Sequence, residues 1–208
     1  MYSGKPGDSP DPSALNHISY GLYLVSAAED GKDNACIVNT VSQVSHNPLT
    51  LSVNINKTGL THDMIHRTKE MAISVLSQST PYSVFERFGL KSGRNGDKFD
   101  GLAEHRAANQ ARYLCDANAV YSCRVISEID CGTHTIFIAE LTQAWKISNE
   151  PSMTYEFYYN YVKPKVAKTS KEPAHVCKIC GYIYQGEVLP GDFICPLCKH
   201  GVSDFEKI

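Results

Sequence analysis

The chain has 208 residues, of which 42% are hydrophobic and 20% charged, enough for one full hydrophobic core and a small additional module. Twenty Lys and Arg residues against 22 Asp and Glu residues give a formal net charge of -2, which excludes the strongly basic surface of a nucleic-acid-binding protein. No run of about 18 apolar residues is present and the first 15 residues are polar, so a secretory signal and a membrane partner are excluded and a cytoplasmic protein is predicted.

Most of the chain before residue 161 is predicted to form β-strands. Six runs are rich in Val, Ile, Thr and Tyr, and each is bounded by Gly, Asn, Asp or Pro, as strands are. The residues 130–132, Asp-Cys-Gly, predict a tight hairpin turn between the last two runs. Antiparallel strands with this spacing favour a mainly β fold closed as a barrel, since closure removes exposed edges. The predicted strands are residues 20–27, 36–44, 49–55, 72–76, 119–129 and 133–146.

Two short helices are predicted between the strands. Thr58 or Thr61 is expected to cap a helix that runs through residues 62–68. A second helix, residues 82–88, follows a proline and carries three aromatic residues on one face. The two helices add little to a fold that is predicted to be mainly β.

A glycine-rich loop follows the second helix, over residues 89–101. Arg94 and Lys98 lie on this loop, and both are candidates for steering a nucleotide phosphate or contacting another subunit.

The composition changes sharply at residues 163–173, which contain four Lys and two Pro and show no apolar periodicity. Such a segment is typical of a solvated linker. The sequence therefore predicts a larger domain over residues 1–162, the linker, and a small domain over residues 174–208.

The small domain contains two C-x-x-C pairs separated by 14 residues. Four thiolates in this arrangement favour a tetrahedral zinc or iron site. Disulfides are disfavoured, because the chain has no export signal and the cytosol is reducing. The other four cysteines show no ligand spacing and are expected to be ordinary thiols. The predicted metal ligands are Cys177, Cys180, Cys195 and Cys198.

The residues around these cysteines resemble rubredoxins. Gly-Tyr-Ile-Tyr follows the second cysteine and Pro196 follows the third. The short gap between the pairs is similar to that of the rubredoxin modules of rubrerythrins. The resemblance implies that the four cysteines hold one iron, which carries one electron, with Tyr182, Tyr184 and Phe205 around it. A structural zinc ribbon is the alternative.

The larger domain has no G-x-G-x-x-G motif after a strand and no P-loop, so a Rossmann-type nucleotide site is not indicated. Polar residues instead concentrate at strand ends, within residues 34–62. In residues 12–150 the chain resembles the flavin reductase-like family, whose members fold as split β-barrels, dimerise and bind FMN near the subunit interface. The segments that carry the resemblance are residues 20–25, 39–48, 54–62, 88–99 and 132–140.

A flavin phosphate needs a cradle for an anion. Lys57 and the first turn of the helix after Thr58 would supply a cation, hydroxyls and backbone N–H groups in one place, and Thr61 would add a hydroxyl. The flavin ring needs polar partners along its pyrimidine edge, for which nearby main chain also serves. The FMN-binding candidates are Asn39, Thr40, Val41, Ser45, Asn54, Asn56, Lys57, Thr58 and Thr61.

His134 is the candidate catalytic residue. It lies on a predicted strand, and the family resemblance implies that it contacts the flavin or the nicotinamide. None of these residues is an acid–base catalyst, and hydride transfer requires none.

Both halves together resemble the high-molecular-weight rubredoxins of anaerobes. That resemblance implies a homodimer in which NADH or NADPH reduces FMN, FMN reduces the iron, and the iron passes electrons to a flavodiiron protein that reduces oxygen or nitric oxide. Two alternatives stay open: a reductase that releases free reduced flavin and carries a structural zinc module, and a non-enzymatic FMN and iron relay. The residues do not distinguish NADH from NADPH.

Overall fold

The structure is a computed structural model that describes residues 12–164, 173–178, 182–195 and 201–208. The chain divides into two compact units, with the boundary between Lys163 and Pro164. Within the described ranges, no helix is both long and apolar enough to cross a membrane.

The larger unit is built on a seven-stranded antiparallel sheet in the order β2-β1-β5-β6-β7-β4-β3. Its outer strands, β2 and β3, are neighbours in the chain and are joined only by Asn39 and Thr40. Because the three Cα–Cα steps from Val38 to Val41 span at most about 11 Å, the two edges of the sheet must approach each other at this end, so the sheet curves into a split barrel. The predicted mainly β, split-barrel fold is thus confirmed. The strands are β1 (Tyr23–Glu29), β2 (Lys32–Val38), β3 (Val41–His46), β4 (Leu49–Asn56), β5 (Glu70–Val75), β6 (Ala119–Cys131) and β7 (His134–Lys146).

Side chains on β4 and β7 alternate between the core and the outer face, as the two-residue period of a strand requires. On β4 the buried residues Val53 and Ile55 alternate with Asn54 and Asn56, which are half-buried. On β7 Phe137 is fully buried in the same cluster. The core therefore lies on one face of these strands, and a polar row lies on the other.

Helix α1 (Leu60–Thr68) packs against β1 and β2 and buries Thr61, Met64 and Ile65. Helix α2 (Tyr82–Phe85) continues into a π-helical turn, Glu86–Leu90. Helix α3 (Tyr155–Phe157) continues into a second π-helical turn, Tyr158–Val162. Short 3-10 turns occur at Pro12–His17 and Gly93–Asn95. The two helices predicted from the sequence are therefore present.

Two local predictions are wrong. The single strand predicted over residues 36–44 is broken into β2 and β3, because the chain crosses from one sheet edge to the other at Asn39 and Thr40. The predicted threonine cap of α1 is also absent: the cap residue is Gly59, with no side-chain hydrogen bond to the helix. Thr58 instead donates its hydroxyl to Asn56 Oδ1 at 2.9 Å.

The small unit contains a three-stranded antiparallel sheet in the order β10-β8-β9. Its strands are β8 (Ala174–Cys177), β9 (Ile183–Gln185) and β10 (Phe205–Lys207), and a 3-10 turn, Val202–Asp204, precedes β10. The ring of Phe193 lies 6.2 Å from that of Tyr182, 4.9 Å from that of Tyr184 and 5.5 Å from that of Phe205. We call these four rings the aromatic cluster.

Candidate functional site

Four of the candidate site residues lie close together: three on the outer face of β4 and β7, and Thr40 at the junction of β2 and β3. The register pairs Asn56 with His134, two residues along the strands from the pair Asn54 and Ile136. Thr40 joins this group, since its hydroxyl donates to the Asn54 carbonyl at 3.2 Å and its own carbonyl accepts from Asn54 N–H at 3.1 Å. The structure therefore brings Thr40, Asn54, Asn56 and His134 into one polar region.

The end of β4 turns sharply into α1. Asn56 Oδ1 accepts hydrogen bonds from the backbone N–H and the hydroxyl of Thr58, both at 2.9 Å. The Lys57 N–H donates to the Thr133 carbonyl at 3.0 Å, which ties this turn to the start of β7. The turn is thus held by its own residues and by the β6–β7 hairpin.

Lys57 is paired with a carboxylate. Its Nζ lies 2.5 Å from Asp130 Oδ1, and this hydrogen bond, followed by one from the Gly132 N–H, lowers the pKa of Asp130. Both groups are solvent-accessible, with exposed side-chain fractions of 33% for Lys57 and 72% for Asp130. An anion bound at Lys57 would therefore compete with Asp130 for the ammonium group.

The first turn of α1 leaves backbone N–H groups for a ligand. A helix does not satisfy the N–H groups of its first turn, and the cap residue Gly59 supplies no side-chain acceptor. Thr61 does not contribute its hydroxyl there, because it is 1% exposed and accepts a hydrogen bond from Asn34 Nδ2 at 2.9 Å. The groups available to a phosphate are the helix N–H groups, Lys57 and Thr58. Together they match the chemistry of an anion site.

The remaining candidates extend along β3, away from this turn. Asn39 is half-buried at the junction with β2. Val41 pairs with Val53 and Ser45 pairs with Thr50, so Ser45 lies roughly 20 Å along β4 from Asn56. Val41 also lines a cavity of about 330 Å³ at the mouth of the barrel. The candidates therefore form an extended strip rather than a single cluster.

His134 is exposed, and its Nδ1 lies 2.9 Å from Thr133 Oγ1. Desolvation lowers the pKa of its imidazole, which favours the uncharged ring at neutral pH. An uncharged imidazole at the edge of the polar region suits contact with a neutral ring system.

The glycine-rich loop is docked on the barrel. Lys98 is 8% exposed and donates to the Ala35 carbonyl at 2.9 Å and the Phe88 carbonyl at 3.0 Å, and burial lowers its pKa. The prediction that Lys98 steers a phosphate is therefore wrong, because its ammonium group is used inside the unit. Arg94 pairs with Asp63 of α1 at 2.5 Å.

Sequence reasoning missed Asn34. It is 2% exposed and binds Thr61, while its Oδ1 has no hydrogen-bond partner in the described part of the chain. A Cβ atom at Gly93 would lie 2.1 Å from this oxygen, so the close approach explains why glycine occupies that position. The only sequence signal was the glycine-rich character of the loop.

The two described metal-ligand candidates are buried in the small unit. Cys177 is 1% exposed and Cys195 is 0% exposed. Cys180 and Cys198 lie outside the described residues. The Lys178 N–H donates to the Asp204 carbonyl at 2.7 Å, which holds the chain after Cys177 against the turn before β10. Buried thiols from each C-x-x-C pair fit the sulfur donor set of an iron or zinc site.

The other four cysteines differ in environment. Cys115 and Cys131 are exposed, whereas Cys36 and Cys123 are largely withdrawn from solvent. Burial raises the pKa of Cys36 and raises that of Cys123 to about 12. Among the described residues, no three His, Cys, Asp or Glu side chains lie close enough to hold a metal.

Two family models match the chain, one for each unit. The flavin reductase like domain matches residues 15–164, and the rubrerythrin, rubredoxin-like domain matches residues 175–206. The chain is 34% identical to the high molecular weight rubredoxin of Moorella thermoacetica, over 95% of this chain and 100% of that protein.

Two further relatives are similar to the larger unit. The ferric-chelate reductase (NAD(P)H) of Archaeoglobus fulgidus is 33% identical, over 77% of this chain and 95% of its own. An NADH:FAD oxidoreductase of Streptomyces globisporus has the same fold, with a TM-score of 0.64 at 20% identity, over 72% of this chain and 93% of that chain. The chain therefore belongs to the flavin reductase-like family, as a member that also carries a rubredoxin-like domain.

Proposed function

We propose that this chain carries electrons from NADH or NADPH, by way of FMN in the larger unit, to an iron held by the four cysteines of the small unit, and from there to a protein acceptor. The observation that carries the proposal is that one chain contains both the polar flavin strip and the buried cysteines. A flavin and an iron in one chain suit each other, because FMN takes two electrons from NAD(P)H and iron carries one at a time.

The chain's own residues would bind and orient the flavin. Lys57, Thr58 and the N–H groups of the first turn of α1 would hold the phosphate. Thr40 and Asn54, which are already fixed by their mutual hydrogen bonds, would present polar atoms to the ring along β3 and β4. His134 would lie between these two ends, uncharged, and contact the flavin or the nicotinamide.

The small unit would shield its metal from water. Tyr182 and Tyr184 contact Phe193 in the aromatic cluster, and a shell of this kind limits solvent access and tunes the potential of a sulfur-bound iron. Cys177, Cys180, Cys195 and Cys198 would provide the four sulfur ligands.

The wider setting follows from the family resemblance. Residues 163–173 would act as a linker between domains at 1–162 and 174–208, keeping the iron domain at a high effective concentration near the flavin. The protein would be a cytoplasmic homodimer, and its acceptor a flavodiiron protein that removes oxygen or nitric oxide.

A second activity is favoured by one relative. This chain is similar to the ferric-chelate reductase of Archaeoglobus fulgidus over 95% of that protein's length. We therefore propose that the larger unit of this chain also reduces ferric chelates directly. This activity would not need the cysteines of the small unit.

An anaerobic titration of the purified full chain, loaded with FMN and iron, tests the proposal. NADH or NADPH should bleach the flavin band and then the iron band in the visible spectrum. A purified chain that contains stoichiometric zinc in place of iron, and so shows the flavin band without an iron band, would favour the free-flavin reductase. A flavin-loaded protein that oxidises neither nucleotide with any artificial acceptor would leave only the non-enzymatic relay.

A further inference from the structure

A largely buried hydrogen bond joins the first turn of α1 to β7. His62 Nε2 lies 2.9 Å from Thr135 Oγ1. The His62 side chain is 12% exposed and its ring is tilted against that of Phe137, with 5.4 Å between the centroids. Thr135 is 6% exposed. A polar contact this far from solvent has a defined geometry, because neither partner can exchange it for water.

The direction of this hydrogen bond follows from the other ring nitrogen. His62 Nδ1 lies 3.3 Å from Asp63 Oδ1, and a carboxylate only accepts. In the tautomer whose Nδ1 donates to Asp63, Nε2 accepts from the Thr135 hydroxyl. Thr135, which shares the core face of β7 with Phe137, therefore holds His62 in one orientation.

This hydrogen bond links the two elements that flank the proposed flavin phosphate site, the first turn of α1 and the start of β7. His62 belongs to the turn whose backbone N–H groups have no side-chain cap. Thr135 is the neighbour of His134 and pairs with Ile55, the residue before Asn56 on β4. A shift of α1 relative to β7 would change the distance between the helix N–H groups and Lys57, whose own N–H is held by Thr133.

We propose that His62 is a positioning residue for the flavin phosphate. Its bond to Thr135 fixes the first turn of α1 against β7, and so aligns the helix N–H groups with Lys57. This role rests on the proposed function, since it presumes that the phosphate binds at this turn. His62 itself would contact neither the flavin ring nor the nicotinamide.

Two matched pairs of variants in the full chain test the proposal. His62→Leu and Thr135→Val remove the bond, whereas His62→Gln and Thr135→Ser retain an acceptor and a hydroxyl at the same places. The measurement is the dissociation constant of flavin-free protein for FMN and for riboflavin, by fluorescence titration. Riboflavin lacks the phosphate, so it reports ring binding alone.

The two bond-removing variants should weaken FMN binding roughly tenfold, as expected for loss of one oriented hydrogen bond, and change riboflavin binding less than twofold. The two conservative variants should bind FMN as the wild type does. Equal losses for FMN and riboflavin, or unchanged FMN binding in Thr135→Val, would overturn the role.

The double variant His62→Leu with Thr135→Val separates positioning from stability. Replacing both partners by apolar groups restores much of the stability that a single replacement loses, so its Tm should rise above those of the single variants while FMN affinity stays low. If both the Tm and the FMN affinity of the double variant recover, the hydrogen bond stabilises the fold but does not position the phosphate site. A wild-type chain that binds neither FMN nor riboflavin would overturn the proposed function itself.

Discussion

The larger unit buries three clusters of apolar side chains between its curved sheet, its helices and its long loop. In the described part of the small unit, only Ala174, Cys177 and Cys195 are buried to the same degree. A unit of 45 residues is too small to be stabilised by its core alone and generally needs a metal or disulfides. The two units thus differ in their source of stability, and the proposed metal ligands of the small unit would serve folding as well as electron transfer.

The largest expected effect comes from a variant that removes the metal site of the small unit and leaves the apolar core of the larger unit intact. Cys195→Ser should abolish the visible iron spectrum and unfold the small unit, because a structural metal contributes folding free energy directly. Reduction of bound FMN by NADH should be retained, and transfer to the terminal acceptor lost. Cys115→Ser, at an exposed thiol of the larger unit, is the control. Equal loss of flavin reduction and acceptor reduction in Cys195→Ser would contradict two separate units and a two-stage route.

Phe137→Ala should destabilise the larger unit and leave the iron site of the small unit intact. Phe137 is 0% exposed, and its removal should lower the free energy of unfolding by about 3–5 kcal/mol. Urea denaturation measures this change, while the iron spectrum should persist under native conditions. Ile147→Ala, at a side chain that is 40% exposed, should cost far less. If both variants have the same urea midpoint, the assignment of Phe137 to the core is wrong.

Gly93→Ala should have an intermediate effect. The new Cβ would lie 2.1 Å from Asn34 Oδ1, so the loop or β2 must shift, at about 1–3 kcal/mol. Gly89→Ala is the matched control, because its Cβ would meet Ile37 at 3.5 Å, an ordinary contact. Thermal unfolding of both variants measures the difference, and equal Tm values would show that the loop accommodates the methyl group without strain.

The smallest expected effect is the acid sensitivity of the ion pairs on the larger unit. Hydrogen bonds from Arg67 and Lys57 lower the pKa values of Glu29 and Asp130. A lowered carboxyl pKa contributes stability above the unfolded-state value, about 4, and that stability is lost as the pH falls through the folded-state value. The urea concentration at the unfolding midpoint should therefore decrease as the pH is lowered from about 5 to about 3. Glu29→Gln with Asp130→Asn should flatten this slope, and an unchanged slope would exclude these two groups as its source.

The fold of the larger unit was predictable because its strands carry the local signals of strands. The turn predicted at residues 130–132 is present but lies at Gly132 and Thr133, because Asp130 and Cys131 still belong to β6. Gly132 adopts a φ of 77° there, a conformation that glycine tolerates. The break at Asn39 and Thr40 was not predictable from local pattern, because Val38 and Val41 on either side suit a continuous strand. Only the sheet topology, which places β2 and β3 at opposite edges, requires the chain to change edge at that point.

The candidate site was predictable in its residue types but not in its contacts. The polar residues of β4 are visible in the sequence, because Asn54 and Asn56 alternate with apolar residues. The pairing of Lys57 with Asp130, and the burial of Thr61 against Asn34, depend on residues that are 73 and 27 positions apart. Lys98 shows the same limit, because a lysine on a glycine-rich loop gives no local sign that two carbonyls will bury its ammonium group.

The two-residue junction between β2 and β3 has a consequence for the exposed edges of the sheet. The edge strands of an open sheet offer unpaired N–H and C=O groups that another chain can extend. Because Asn39 and Thr40 hold the ends of the two edge strands together, they restrict access by a foreign strand at that corner. We therefore expect residues inserted between Asn39 and Thr40 to promote intermolecular strand pairing, and so aggregation, even where the buried core is unchanged.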